Sequence, residues 1–172
     1  MDSFQARHVT KDHTRKISAS PADIFPLLCP VREYDWIDGW TCRMIHSDSG
    51  VAENNCIFKT SFPRGAEETW VVSHYDPDRY IIQFVVFNPE AYVMKLDFSL
   101  QSCGVNITLV SVRNTFTGLS EKGNAFVANY TDGTNASAVS RLFEALEHYC
   151  TTGKMLKRKS VLGAVHAALH RM

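Results

Sequence analysis

The chain has 172 residues, 45% of them apolar and 21% charged, the size and balance of one soluble globular domain with a full core. Its 18 Lys and Arg offset 18 Asp and Glu, so the excess of base expected of a general nucleic-acid binder is missing. There is no 18-residue apolar run to span a membrane and no apolar leader, and the five solitary cysteines lack any C-x-x-C spacing, so the expectation is a reduced, cytoplasmic protein.

The charge is unevenly placed. Residues 148–172 hold five basic residues (Lys154, Lys157, Arg158, Lys159 and Arg171) and no acidic one, which leaves 13 basic and 18 acidic residues in 1–147. The reading is a mildly acidic body, 1–153, followed by a basic tail, 154–172.

In chain order, residues 8–18 predict a first strand. Ser20-Pro21-Ala22-Asp23 then reads as a helix start, with a hydroxyl cap, a proline at the first position and an acid facing the helix dipole. Ile24, Phe25, Leu27 and Leu28 give that helix an apolar face, and Pro26 and Pro30 keep it short. A second short helix is expected from about Val31 to Trp36, ending at Asp38-Gly39. From Trp40 the texture is β, with strands at 40–47, 56–62, 67–75, 79–88, 91–101 and 105–117. They are separated by turn clusters such as Asp48-Ser49-Gly50, Asp76-Pro77-Asp78 and Asn88-Pro89. Alternation is cleanest over 92–100, where Tyr92, Met94, Leu96, Phe98 and Leu100 share one face. After Gly118 the pattern turns helical. Ser120 opens the helix, and Val139, Leu142, Phe143 and Leu146 form a stripe at helical spacing. Thr131-Asp132-Gly133 is a candidate kink, and Gly153 a candidate end. Residues 154–172 read as a further basic helix.

The predicted order is one strand, two short helices, six more strands and a long helix that covers the sheet. It resembles the helix-grip fold of the START-like superfamily, also called SRPBCC, which includes birch-pollen-allergen proteins, lipid-transfer domains and polyketide cyclases. Three segments carry the resemblance. Ile17-Ser18-Ala19-Ser20-Pro21-Ala22-Asp23-Ile24-Phe25 is similar to the first strand and helix. Glu68-Thr69-Trp70-Val71-Val72-Ser73-His74-Tyr75-Asp76-Pro77 is similar to a mid-sheet strand and turn. Thr115-Phe116-Thr117-Gly118-Leu119-Ser120-Glu121-Lys122-Gly123 is similar to the last strand entering the long helix. The resemblance covers about residues 8–153 and implies an α+β domain: a curved seven-stranded antiparallel sheet wrapped around a long C-terminal helix, with an elongated apolar pocket between them.

That pocket is the main functional candidate. Phe58, Phe62, Trp70, Phe84, Tyr92, Met94 and Phe98 on the sheet, with Phe143 on the helix, are the candidate lining; the alternative is that they form plain core. If Trp70 faces inward, alternation sends Glu68, Val72 and His74 inward too, and Glu68 with His74 becomes a candidate acid–base pair. Arg113 is a further polar candidate, although Val110, Val112 and Phe116 form an equally apolar set on the opposite face. There is no G-x-S-x-G elbow, the cysteines sit in apolar or strand settings, and no Gly-rich phosphate loop occurs. The pairs Glu144/His148 and His166/His170 have helical i, i+4 spacing but lack a third ligand. No catalytic residue, metal or cofactor is therefore expected.

The leading expectation is binding or transport of a small hydrophobic ligand or lipid. Two alternatives stand beside it. One is a cyclase or aromatase acting on a polyketide-like or aromatic substrate through Glu68, His74 and Arg113. The other is an interaction module working through the basic tail, which is expected to pack on its own body or on a second copy in a homodimer rather than on a membrane.

Overall fold

The computed structural model describes residues 4–61 and 66–157. Phe62, the tail beyond Lys157, and the His166/His170 pair lie outside the described residues. Seven antiparallel strands form one sheet: β1 (His8–Ile17), β2 (Cys42–His46), β3 (Ile57–Thr60), β4 (Glu68–Asp76), β5 (Ile81–Asn88), β6 (Tyr92–Gly104) and β7 (Ile107–Gly118). Their spatial order is β1-β7-β6-β5-β4-β3-β2. Strands β2 to β7 form a meander, and β1 pairs with the last strand over its full length, from His8↔Thr117 to Ile17↔Thr108. This is the helix-grip arrangement expected from the sequence.

The crossing from β1 to β2 starts with α1 (Pro21–Ile24), followed by 3-10 turns at Phe25–Leu28 and Glu33–Asp35. Ser20 caps α1 by accepting from the Asp23 amide, and Pro21 occupies the first turn. The second helix expected over 31–36 is only the 3-10 turn. Trp36 Nε1 donates to the Leu27 carbonyl and Trp40 Nε1 to the Pro30 carbonyl, each at 2.8 Å. These two bonds give a segment without helical periodicity a fixed shape and satisfy two buried indole donors.

The C-terminal helix runs as α2 (Glu121–Asn129), a π turn (Tyr130–Thr134) and α3 (Asn135–Thr152). Ser120 accepts from the Gly123 amide at the start, and Gly153 ends the helix in the left-handed conformation at φ +67°. The expected interruption at Thr131-Asp132-Gly133 is this π turn. At its start, Phe126 and Tyr130 stand one α-helical turn apart and stack with ring centroids 5.5 Å apart, and Phe126 stacks on Tyr92 at 4.9 Å.

Even-numbered residues of β5, β6 and β7 face the helix. Ile82, Phe84, Val86, Phe98, Leu100, Val110, Val112 and Phe116 are all buried there. The helix start sits unusually close to the sheet. Leu119 donates its amide to the Ala91 carbonyl at 2.9 Å, and a Cβ on Gly123 would fall on that same carbonyl oxygen. Only glycine permits this approach. Gly123→Ala is expected to lower unfolding stability by about 1–3 kcal/mol in urea denaturation, the cost of overpacking against backbone that cannot retreat.

Candidate functional site

A cavity of about 140 Å³ lies between the concave sheet face and the helix. The sheet supplies Trp70 from β4, Phe84 from β5, Tyr92, Met94, Leu96 and Phe98 from β6, and Val112, Asn114 and Phe116 from β7. The helix supplies Tyr130 from the π turn and Ala138, Val139 and Leu142 from α3. Glu33, Ile37 and Trp40 close one end from the crossing segment. Met94, Leu96 and Leu142 keep partial solvent-accessible surface although they point inward, as expected of side chains facing a space rather than a packed neighbour.

Of the residues singled out from sequence, Trp70, Phe84, Tyr92, Met94 and Phe98 line this cavity. Four others do not. Phe58 is buried behind the wall and stacks on Trp70, with centroids 5.5 Å apart. Phe143 is buried in the main core beside the helix stripe. His74 is exposed because the β4–β5 register slips between Val72 and His74, and this bulge breaks the alternation that points Glu68, Trp70 and Val72 inward. Arg113 is exposed on the convex face, where its Nε donates to Asp12 Oδ1 at 2.7 Å; the inward residues of β7 are its neighbours Val112 and Asn114. The suggested Glu68/His74 pair is therefore not formed.

Glu68 is buried at 3% exposure beside different partners. Tyr92 Oη donates to Glu68 Oε1 at 2.5 Å, and Asn88 Nδ2 donates to the same oxygen at 3.3 Å. Burial raises the Glu68 pKa, and these hydrogen bonds oppose the rise without cancelling it. Burial and the adjacent carboxylate both push the Tyr92 phenol well up, and burial lifts Tyr130 to about 12, so neither phenol ionises near neutral pH. Trp70 Nε1 donates to Thr60 Oγ1 at 2.9 Å and is satisfied.

Glu33 went unrecognised in the sequence, since a short 3-10 turn offers no periodicity to show its facing. It sits on the cavity wall with no charged partner among the described residues, and burial lifts its carboxyl to about 8. Asn114 is the second unforeseen polar group: it is buried, and its Oδ1 accepts no hydrogen bond.

Thiol chemistry finds little support here. Burial raises the Cys42 and Cys150 thiols to about 11, which leaves almost no thiolate at neutral pH. Among the described residues, no three His, Cys, Asp or Glu side chains gather as a metal-binding set. No helix of the described residues is long and apolar enough to cross a membrane.

Solved structures with the same architecture come from several lineages. Norcoclaurine synthase from Thalictrum flavum, a point mutant in complex with a transition-state analogue, superposes with a TM-score of 0.66 at 13% identity, covering 88% of this chain and 99% of that one. The Zhui aromatase/cyclase from Streptomyces sp. R1128 gives 0.62 at 10% identity, covering 88% of this chain and 100% of that one. Ara h 8.0201 gives 0.61 at 14% identity, covering 85% of this chain and 99% of that one. These likenesses show the helix-grip fold. No family model and no curated protein matches the sequence.

Glu33 gives a testable pH dependence. Its folded pKa lies above its unfolded value of 4.5, so the folded state binds the extra proton between roughly pH 4.5 and 8. Its contribution is fully present below pH 4.5 and is lost as pH rises through about 8. Relative to Glu33→Gln, the native chain is expected to lose at least about 1.4 kcal/mol of stability between pH 4.5 and 8.5 in urea titrations, the equivalent of one pKa unit.

Proposed function

We propose that the protein binds and carries a small hydrophobic molecule in the cavity between sheet and helix. The observation that carries this reading is a cavity in the heart of the fold, walled by seven aromatic side chains of the sheet, the crossing segment and the π turn, with aliphatic residues between them. A volume of about 140 Å³ is close to that of engineered apolar cavities that hold a benzene ring, so a one- or two-ring molecule suits it better than a long acyl chain. Burial of one aromatic ring is worth roughly 4–6 kcal/mol before the costs of association. Affinities for simple probes should then fall between millimolar and micromolar. The five free cysteines suit a reducing compartment.

A second reading, an enzyme acting on a cyclic or polyketide-like substrate, is supported by the Glu68–Tyr92 hydrogen bond at the cavity and by the likeness to an aromatase/cyclase. Its acid–base groups would be Glu68 and Glu33, since His74 and Arg113 face solvent. A role for the basic tail in dimer contact is a separate proposal, tested by the oligomeric state of a chain ending at Gly153.

Native beside denaturing mass spectrometry of freshly purified protein should show a small extra mass that leaves on unfolding. In NMR titrations with neutral 2-phenylethanol, the Trp70→Ala/Tyr92→Ala double variant should bind at least tenfold more weakly. Leu96→Trp, which fills the space without removing core, should abolish binding. Undiminished affinity in Leu96→Trp would exclude this cavity as the site.

A further inference from the structure

The polar groups of the cavity restrict what head group a ligand can bring. Among the described residues, the wall holds no Lys, Arg or His. Two of its residues, Glu33 and Glu68, can become negative, and none can become positive. Glu68 is already engaged by Tyr92 and Asn88. Glu33 has no hydrogen bond or ion pair to its carboxyl group among the described residues. Asn114 Oδ1, buried and unpartnered, is a second open acceptor on the wall. The indole donors of Trp40 and Trp70 are spent on Pro30 and Thr60, so what these two side chains bring to the wall is aromatic ring surface.

We infer that the cavity selects a small aromatic ligand carrying a protonated amine, whose ammonium pairs with the Glu33 carboxylate while its ring lies among Trp40, Trp70 and Phe84. This rests on the cavity being a ligand site. An ion taken out of water must be paired, and the penalty otherwise is several kcal/mol. A carboxylate or phosphate head would find no counter-charge on this wall. An ammonium finds the Glu33 carboxylate as an acceptor for its hydrogens, with aromatic rings on the same wall. Burial that disfavours ionised Glu33 in the empty cavity is offset once a cation sits beside it. Arg141 is the one cation to weigh against this. It precedes Leu142 on α3, off the wall, and its Nε and Nη2 are buried without partners.

The test titrates the full chain, by NMR at fixed pH and salt, with three probes of one apolar body: 2-phenylethylamine, 2-phenylethanol and 3-phenylpropanoate. The amine should bind at least tenfold more tightly than the carboxylate and more tightly than the alcohol. Glu33→Gln should bring the amine down to the affinity that the alcohol shows for the same variant, and binding of the alcohol to that variant reports an intact cavity. A carboxylate that binds as tightly as the amine overturns the inference, and loss of its binding in Arg141→Gln would assign the site to Arg141 instead. An amine preference that survives Glu33→Gln also overturns it. If none of the three probes binds, the cavity reading fails and the inference fails with it.

Discussion

A strongly curved sheet with one apolar face has to be covered, and here one helix does most of the covering. A helix with its side chains is about 10–12 Å across, while seven strands at 4.7–4.9 Å spacing make a much wider surface. Part of the concavity therefore remains open beneath the helix. The cavity follows from this mismatch, and its position follows from where the helix is allowed to approach. Gly123 against the Ala91 carbonyl lets the helix start lie close to the sheet. From there Tyr92, Phe126 and Tyr130 form a stack that closes that end. The space opens beyond the stack, under Ala138, Val139 and Leu142.

The two carboxyl groups at the cavity are treated differently by the fold. Glu68 is buried with two donors on one oxygen, so its polar cost is largely met within the protein. Glu33 is brought to the wall by a short segment whose shape depends on two tryptophan hydrogen bonds, and the described residues provide no donor for it. A satisfied buried carboxyl contributes to structure, whereas an unsatisfied one is a standing cost that a bound molecule can relieve.

The fold was legible because its signals are local and redundant. Ser20 and Ser120 mark helix starts, Gly153 marks an end, and the 92–100 alternation marks a half-buried strand; each has the predicted partner or backbone conformation. The site was legible only where alternation ran unbroken. Period two put Tyr92, Met94 and Phe98 on one face of β6, and the resemblance to the helix-grip fold made that face a pocket wall. His74 was misplaced because one extra residue near Ser73 reverses every later facing on the strand, and a bulge has no composition of its own. Arg113 was an open choice between two apolar faces of β7, settled only by pairing with β1 and β6. Glu33 and Tyr130 escaped because 3-10 and π turns obey neither helical nor strand spacing, and Trp40 because it lies in irregular chain between the second 3-10 turn and β2.

The helix that roofs the cavity is held at both ends by packing on its inner side and by ion pairs on its outer side. Its start has backbone contact and stacked rings, with Lys122 to Glu90 at 3.8 Å and Arg7 to Asp132 at 3.3 Å beside them. Its far end packs Leu146, Tyr149 and Cys150 against the core and is tied by Arg15 to Glu147 at 2.8 Å and, just past the helix, Lys157 to Asp38 at 3.5 Å. Half-exposed charges weaken as salt is added, while apolar contacts do not. Added salt thus slackens the outer ties of the roof along its whole length and leaves the packed inner face to hold it over the cavity.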